Sequence, residues 1–88
     1  MELNKLELPK WFAGEKYSKG DTLINEDTGE KLEINNLELS MVDFVMGSQM
    51  IIEMMGDKAT KSHSKYLNEG IDWLKKSNPE IIKFINLA

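Results

Sequence analysis

The one histidine of this chain lies in "KSHSK", flanked by Ser62 and Ser64. A serine–histidine pair is the commonest start to an acyl-transfer site, but neighbours in a helix point away from one another. A nucleophile for His63 would have to come from elsewhere, together with a carboxylate to orient the ring. Neither an HExxH spacing nor a second histidine accompanies it, so a zinc centre is not expected. The chain has no cysteine, which removes thiol catalysis, thiolate metal sites and disulfides together. "GEKYSKGD" lacks the spacing of a phosphate-cradling loop and no helix follows it. His63 therefore reads as a packed residue, and the expectation is a chain without catalysis, cofactor or metal.

The other unusual chemistry is sulfur. "ELSMVDFVMGSQMIIEMMG", residues 38–56, holds five of the six methionines. Read as a helix, it carries two apolar stripes. Leu37, Met41, Phe44, Val45, Ile51, Ile52 and Met55 recur at three- and four-residue spacing around Ser48, as a core face does. Leu39, Val42, Met46, Met50 and Met54 form a second stripe mixed with Asp43, Gln49 and Glu53. Methionine is flexible and polarisable, and it recurs on adaptable binding surfaces. The second stripe is open to two readings, a face covered by the chain's own hairpin or arm, and a contact with another molecule. Gly47 beside it leaves room for close approach. The run is too short, and too interrupted by Asp43, Gln49 and Glu53, to span a bilayer.

Charge narrows the partners. Eleven lysines and no arginine face fifteen acids, for a net charge of −4. Nucleic-acid affinity rests largely on neutralised phosphates, and arginine is the usual bidentate reader, so no nucleic acid is expected as a partner. "MELNKLELPKW" has neither a basic nor an apolar signal region, and a cytoplasmic location is expected.

These residues need elements to position them, and 88 residues suffice for one domain, 1–88. Residues 1–20 read as an extended arm with turns, because Pro9 keeps Leu8 out of a helix. Its rings, Trp11, Phe12 and Tyr17, are expected over the core. Residues 21–35 read as a β-hairpin closed by Asp27-Thr28-Gly29, with Gly29 left-handed. A three-residue loop sets Ile24 opposite Leu32 and Thr22 opposite Ile34, leaving Leu23, Asn25, Lys31 and Glu33 on the other face. A helix at 36–55 follows, capped by Asn35 or Asn36, with Glu38 in its first turn and Gly56 as its stop. A second at 58–77, capped by Asp57 or Thr60, offers Ala59, His63, Tyr66, Leu67, Gly70, Ile71, Trp73 and Leu74 on one face. Asn78 and Pro79 open a short helix at 79–86. The class is α+β: an extended arm and hairpin packed on two long helices and a short one.

Two resemblances add to this. "WFAGEKYSKGDTLINEDTGEKLEI" resembles the aromatic rhythm of small chitin- and cellulose-binding modules, although Leu32 and Ile34 stand where later strand aromatics are expected and three helices follow. Carbohydrate or small-ligand binding through Trp11, Phe12 and Tyr17 is the alternative it implies. "ELSMVDFVMGSQM" with "GIDWLKKSNPE" downstream, within a likeness running from Leu8 to about Trp73, is similar to small uncharacterised proteins of marine bacteriophages, especially those of cyanobacteria. That likeness carries no activity. It implies a protein of the infected cell's cytoplasm or a minor virion component, with a host or phage protein as partner. The leading expectation is a non-enzymatic accessory protein acting by protein–protein contact. It is expected to be a homodimer or other homo-oligomer, meeting its partner through Leu39, Val42, Met46, Met50 and Met54.

Overall fold

A computed structural model describes residues 7–58 and 61–85. It shows the expected α+β architecture. Strands β1 (Asp21–Ile24) and β2 (Lys31–Ile34) are followed by helix α1 (Asn36–Met55) and a 3-10 turn at Gly56–Lys58. Helix α2 (Lys61–Ser77) and a second 3-10 helix at Pro79–Lys83 complete the order. Expectations that fall on Ala59, on a Thr60 cap and on the end of the short helix at residue 86 lie outside the described residues.

The hairpin is antiparallel, but its register is one residue away from the expected one. Leu23 faces Leu32 and Ile24 faces Lys31, with Thr22 opposite Glu33 and Asp21 opposite Ile34. The cause is Asn25. Its side-chain oxygen accepts the N–H groups of Asp27 (2.9 Å) and Thr28 (3.4 Å), forming an Asx turn that draws Glu26 into the loop. The loop becomes 26–29, closed by Asn25 N–H to the Glu30 carbonyl at 2.9 Å. Gly29 is left-handed as expected, at φ 78°. Because a one-residue slip exchanges the two faces, Leu23, Leu32 and Ile34 turn to the core and Ile24 is exposed.

Helix α1 begins with a capping box. The Asn35 side chain accepts the Glu38 N–H at 2.7 Å, and the Glu38 carboxylate accepts the Asn35 N–H at 2.9 Å. The other Glu38 oxygen accepts the Ser77 hydroxyl at 2.6 Å, which ties the start of α1 to the end of α2. Gly56, at φ 57°, ends α1 with its N–H on the Ile52 carbonyl. The 3-10 turn that follows takes up Lys58, where α2 was expected to begin, and α2 is described from Lys61. Asn78 caps the last element as expected, by accepting the Glu80 N–H, but five residues of 3-10 helix form rather than a longer α-helix.

The two helices run antiparallel and come closest at Gly70. A Cβ there would lie 2.8 Å from Val45 Cγ2 and 3.2 Å from Met41 Sδ, so no larger residue fits without displacing them. One cluster forms the core: Phe12, Ile34, Met41, Val42, Val45, Trp73, Leu74, Ile81 and Ile85. It takes the first half of α1 and the second half of α2. The arm is pinned to the same end. Phe12 N–H to the Pro9 carbonyl (3.1 Å) makes a turn that sends Trp11 and Phe12 inward. The Trp73 indole N–H donates to the Glu7 carbonyl at 2.9 Å. Ser40, fully buried, accepts the Tyr17 N–H at 2.9 Å and donates to the Asn36 carbonyl at 2.8 Å.

The molecule measures 43 × 34 × 20 Å. Its thin dimension admits two layers of about 10 Å each. Helix α1 therefore has cover on one side only beyond the core. Toward the connecting turn, the second half of α1 carries the exposed side chains Met46, Met50, Ile51 and Met54.

Candidate functional site

That half of α1 is where the second methionine stripe resolves. Its five residues divide. Val42 is buried and Leu39 packs against the core, because both lie in the half of α1 that arm and hairpin flank. This removes Val42, and most of Leu39, from the candidate surface. Met46, Met50 and Met54 lie beyond that cover and are 37, 62 and 80% exposed. Ile51, expected in the core face, is half exposed instead. The exposed seam is therefore Gly47, Met50, Ile51 and Met54, a spacing of three, four and seven residues from Gly47, with Met46 at its edge. At position 47 a Cβ would meet no heavy atom within 4 Å. Gly70, not Gly47, is the residue whose missing side chain serves packing inside the chain.

Beside the seam a cleft of about 190 Å³ opens between Phe44, Ser48 and Ile51 of α1 and His63 and Tyr66 of α2. Its floor is aromatic. The Trp11 ring lies 5.5 Å from Phe44 and 5.1 Å from Tyr66, and Phe12 lies 5.4 Å from Phe44, all tilted. Tilted pairs at this distance are favourable through the ring quadrupoles. Tyr66, expected on the buried face of α2, is 37% exposed and forms the outer edge of this ring cluster. Lys65 Nζ lies 5.6 Å from its centroid.

His63 stands half-buried in the cleft wall. The fold brings Ser48 to the same cleft, a serine from elsewhere in the chain that sequence spacing alone did not single out. Among the described residues that line the cleft there is no carboxylate. Among the described residues no group of three or more His, Cys, Asp or Glu side chains is placed to hold a metal ion.

The aromatic arm is committed to packing at two of its three rings. Phe12 is buried, and Trp11 is engaged with Phe12, Phe44 and Tyr66. Tyr17 is half-buried, with its phenol pushed above its ordinary value of 10.0 by partial burial, the Asp43 and Glu15 charges and a hydrogen bond to Asp43. Two other hollows exist. One of about 570 Å³ lies between the hairpin loop, with Ile24, Asn25, Glu26 and Asp27, and Lys83, Phe84 and Ile85. The other, of about 210 Å³, lies between Trp11 and the Glu69–Lys76 side of α2. Both are wide open, and the first is mainly polar. Among the described residues no helix is long and apolar enough to cross a membrane.

Compared with known proteins, the chain matches no family model, no curated protein and no solved structure.

Proposed function

We propose that this chain is a non-enzymatic accessory protein, of the kind bacteriophages encode, that works in the cytoplasm by protein–protein contact and self-associates through the exposed second half of α1. One observation carries the reading. Met46, Met50, Ile51, Met54 and Tyr66 leave a contiguous apolar face in solvent, on a molecule only 20 Å thick. Faces of this kind on small proteins mark contact sites. The acidic chain, without arginine, favours a protein over a nucleic acid as the occupant.

Size-exclusion chromatography with light scattering on the isolated protein tests this, with at least a dimer expected at micromolar concentration. Met46→Lys with Met50→Lys then tests the surface. Both side chains already reach solvent, so the lysines are accommodated and the monomer stays folded. In a symmetric dimer four methionines change, and their exposed fractions, 37 and 62% in each copy, amount to about two fully exposed side chains. A loss of about 3 kcal/mol therefore weakens the dimer on the order of 100-fold. A parent chain that is monomeric at high concentration removes the reading, and a double variant that associates as the parent does moves the contact away from α1.

A further inference from the structure

Gly47 is in the wrong place for a residue that serves only its own chain. A glycine inside a helix weakens it relative to alanine. Here the open position faces solvent, at the N-terminal end of the exposed seam. With it, Met50, Ile51 and Met54 complete the ring of positions that forms a hole for a side chain of a facing helix. The neighbouring cleft continues that hole inward. At about 190 Å³ it falls below the 300–1,000 Å³ typical of small-molecule sites and suits one large side chain. Its walls, Phe44 and Tyr66, are rings, which favour a thioether sulfur at their edges.

We propose that the occupant is a second copy of this chain, paired so that Met54 of each copy passes over the partner's Gly47 and enters the partner's cleft. This rests on the self-association reading above and specifies its geometry. The two α1 helices run antiparallel, about a two-fold axis beside Met50 and Ile51.

Three features select this arrangement. A two-fold contact needs one self-complementary patch, and here knob (Met54) and socket (Gly47 and the cleft) occupy the same face. A parallel pair would set Asp43 against Asp43, align the two helix dipoles unfavourably, and press the two hairpin-and-arm ends together. The area is also sufficient. The exposed fractions of Met46, Met50, Ile51, Met54 and Tyr66 amount to roughly 500 Å² per chain, at about 200 Å² for a fully exposed residue. Two such faces reach the roughly 1,000 Å² that separates specific interfaces from incidental ones.

The absence of cysteine makes the test direct, because any introduced thiol is the only one. Ile51→Cys places a thiol beside the two-fold axis, facing its own copy. Mild oxidation of this variant is expected to give a disulfide-linked dimer on a non-reducing gel. Lys75→Cys, exposed at the other end of the molecule, stays unlinked under the same conditions. Gly47→Leu fills the socket and is expected to raise the dissociation constant at least tenfold, with helical content unchanged by circular dichroism. Should Gly47→Leu alter the helix, Met54→Ala removes the knob from a position that is 80% exposed in the monomer, with the same expected loss. Linkage of Ile51→Cys no faster than Lys75→Cys overturns the antiparallel pairing. So does undiminished association of the Gly47 and Met54 variants. If those results accompany a dimer that Met46→Lys with Met50→Lys does dissociate, the face is right and the pairing wrong. If the double variant also leaves the dimer intact, both fall.

Discussion

The Glu38–Ser77 link offers the sharpest test of how the start of α1 is held to the end of α2. Glu38 is buried, and its two oxygens serve two elements, the Asn35 N–H at 2.9 Å and the Ser77 hydroxyl at 2.6 Å. Glu38→Ala removes both. The lost half of the capping box costs about 1 kcal/mol. The hydrogen bond between the hydroxyl and a carboxylate contributes about 1.5–3 kcal/mol. The expected loss is about 3 kcal/mol, from a total of roughly 4–13 kcal/mol for a chain of this length. That corresponds to a fall in Tm of roughly 15 °C. Urea unfolding followed by circular dichroism, at a concentration where the chain is monomeric, measures it. A double-mutant cycle with Ser77→Ala isolates the link itself. Ser77→Ala alone leaves the cap intact, and the coupling energy is expected at about 1–2 kcal/mol. Glu38→Gln, which can still accept from Asn35 and donate to Ser77, should recover most of the loss. A coupling energy below about 0.3 kcal/mol would show that the two helices are not joined at this point, and the reasoning would fail.

Gly29→Val forces a β-branched residue into φ 78°, and a loss of about 1–2 kcal/mol in urea unfolding is expected. The two helical glycines should respond with opposite signs. Gly70→Ala pushes a methyl to 2.8 Å from Val45 and costs about 1–3 kcal/mol, whereas Gly47→Ala, measured in the monomer, gains up to about 1 kcal/mol. Equal effects would contradict the crossing at Gly70. The raised Tyr17 phenol gives a pH dependence. The folded state holds that proton more tightly, so its contribution is complete below the ordinary value of 10.0 and is lost as pH rises through the folded value. The parent should therefore lose Tm faster between pH 9 and 11 than Tyr17→Phe does, and parallel curves would refute it.

The elements were legible in the sequence because their signals are local. Asn35 with Glu38 announces the start of α1, Gly56 its end, and Asn78 with Pro79 the last short helix. Each depends on backbone groups within four residues, so no distant contact can override it cheaply. Gly29 belongs with them, since the conformation it supplies is a property of its own bond rotations. The register of the hairpin was also local, but it turned on a competition. Asn25 captures Asp27 and Thr28, and that Asx turn outweighed the three-residue loop that Asp-Thr-Gly suggested.

What the sequence by itself determined is an α+β chain with a methionine-rich helix, apolar on more than one side. Only the tertiary structure decided which part of that helix meets solvent. Periodicity assigns residues to faces around the axis, but it is blind to position along the axis. Val42 and Met46 share a stripe in the sequence, yet Val42 packs in the core cluster and Met46 reaches solvent, so the cover changes along the helix. Ile51 shares a stripe with Met41 and Val45, yet it lies half exposed beside an open cleft. The meeting of Ser48 with His63, and of Trp11 with Phe44 and Tyr66, likewise depends on chain segments far apart in sequence. Their proximity is set by where the two helices cross, and no short stretch of residues encodes that crossing.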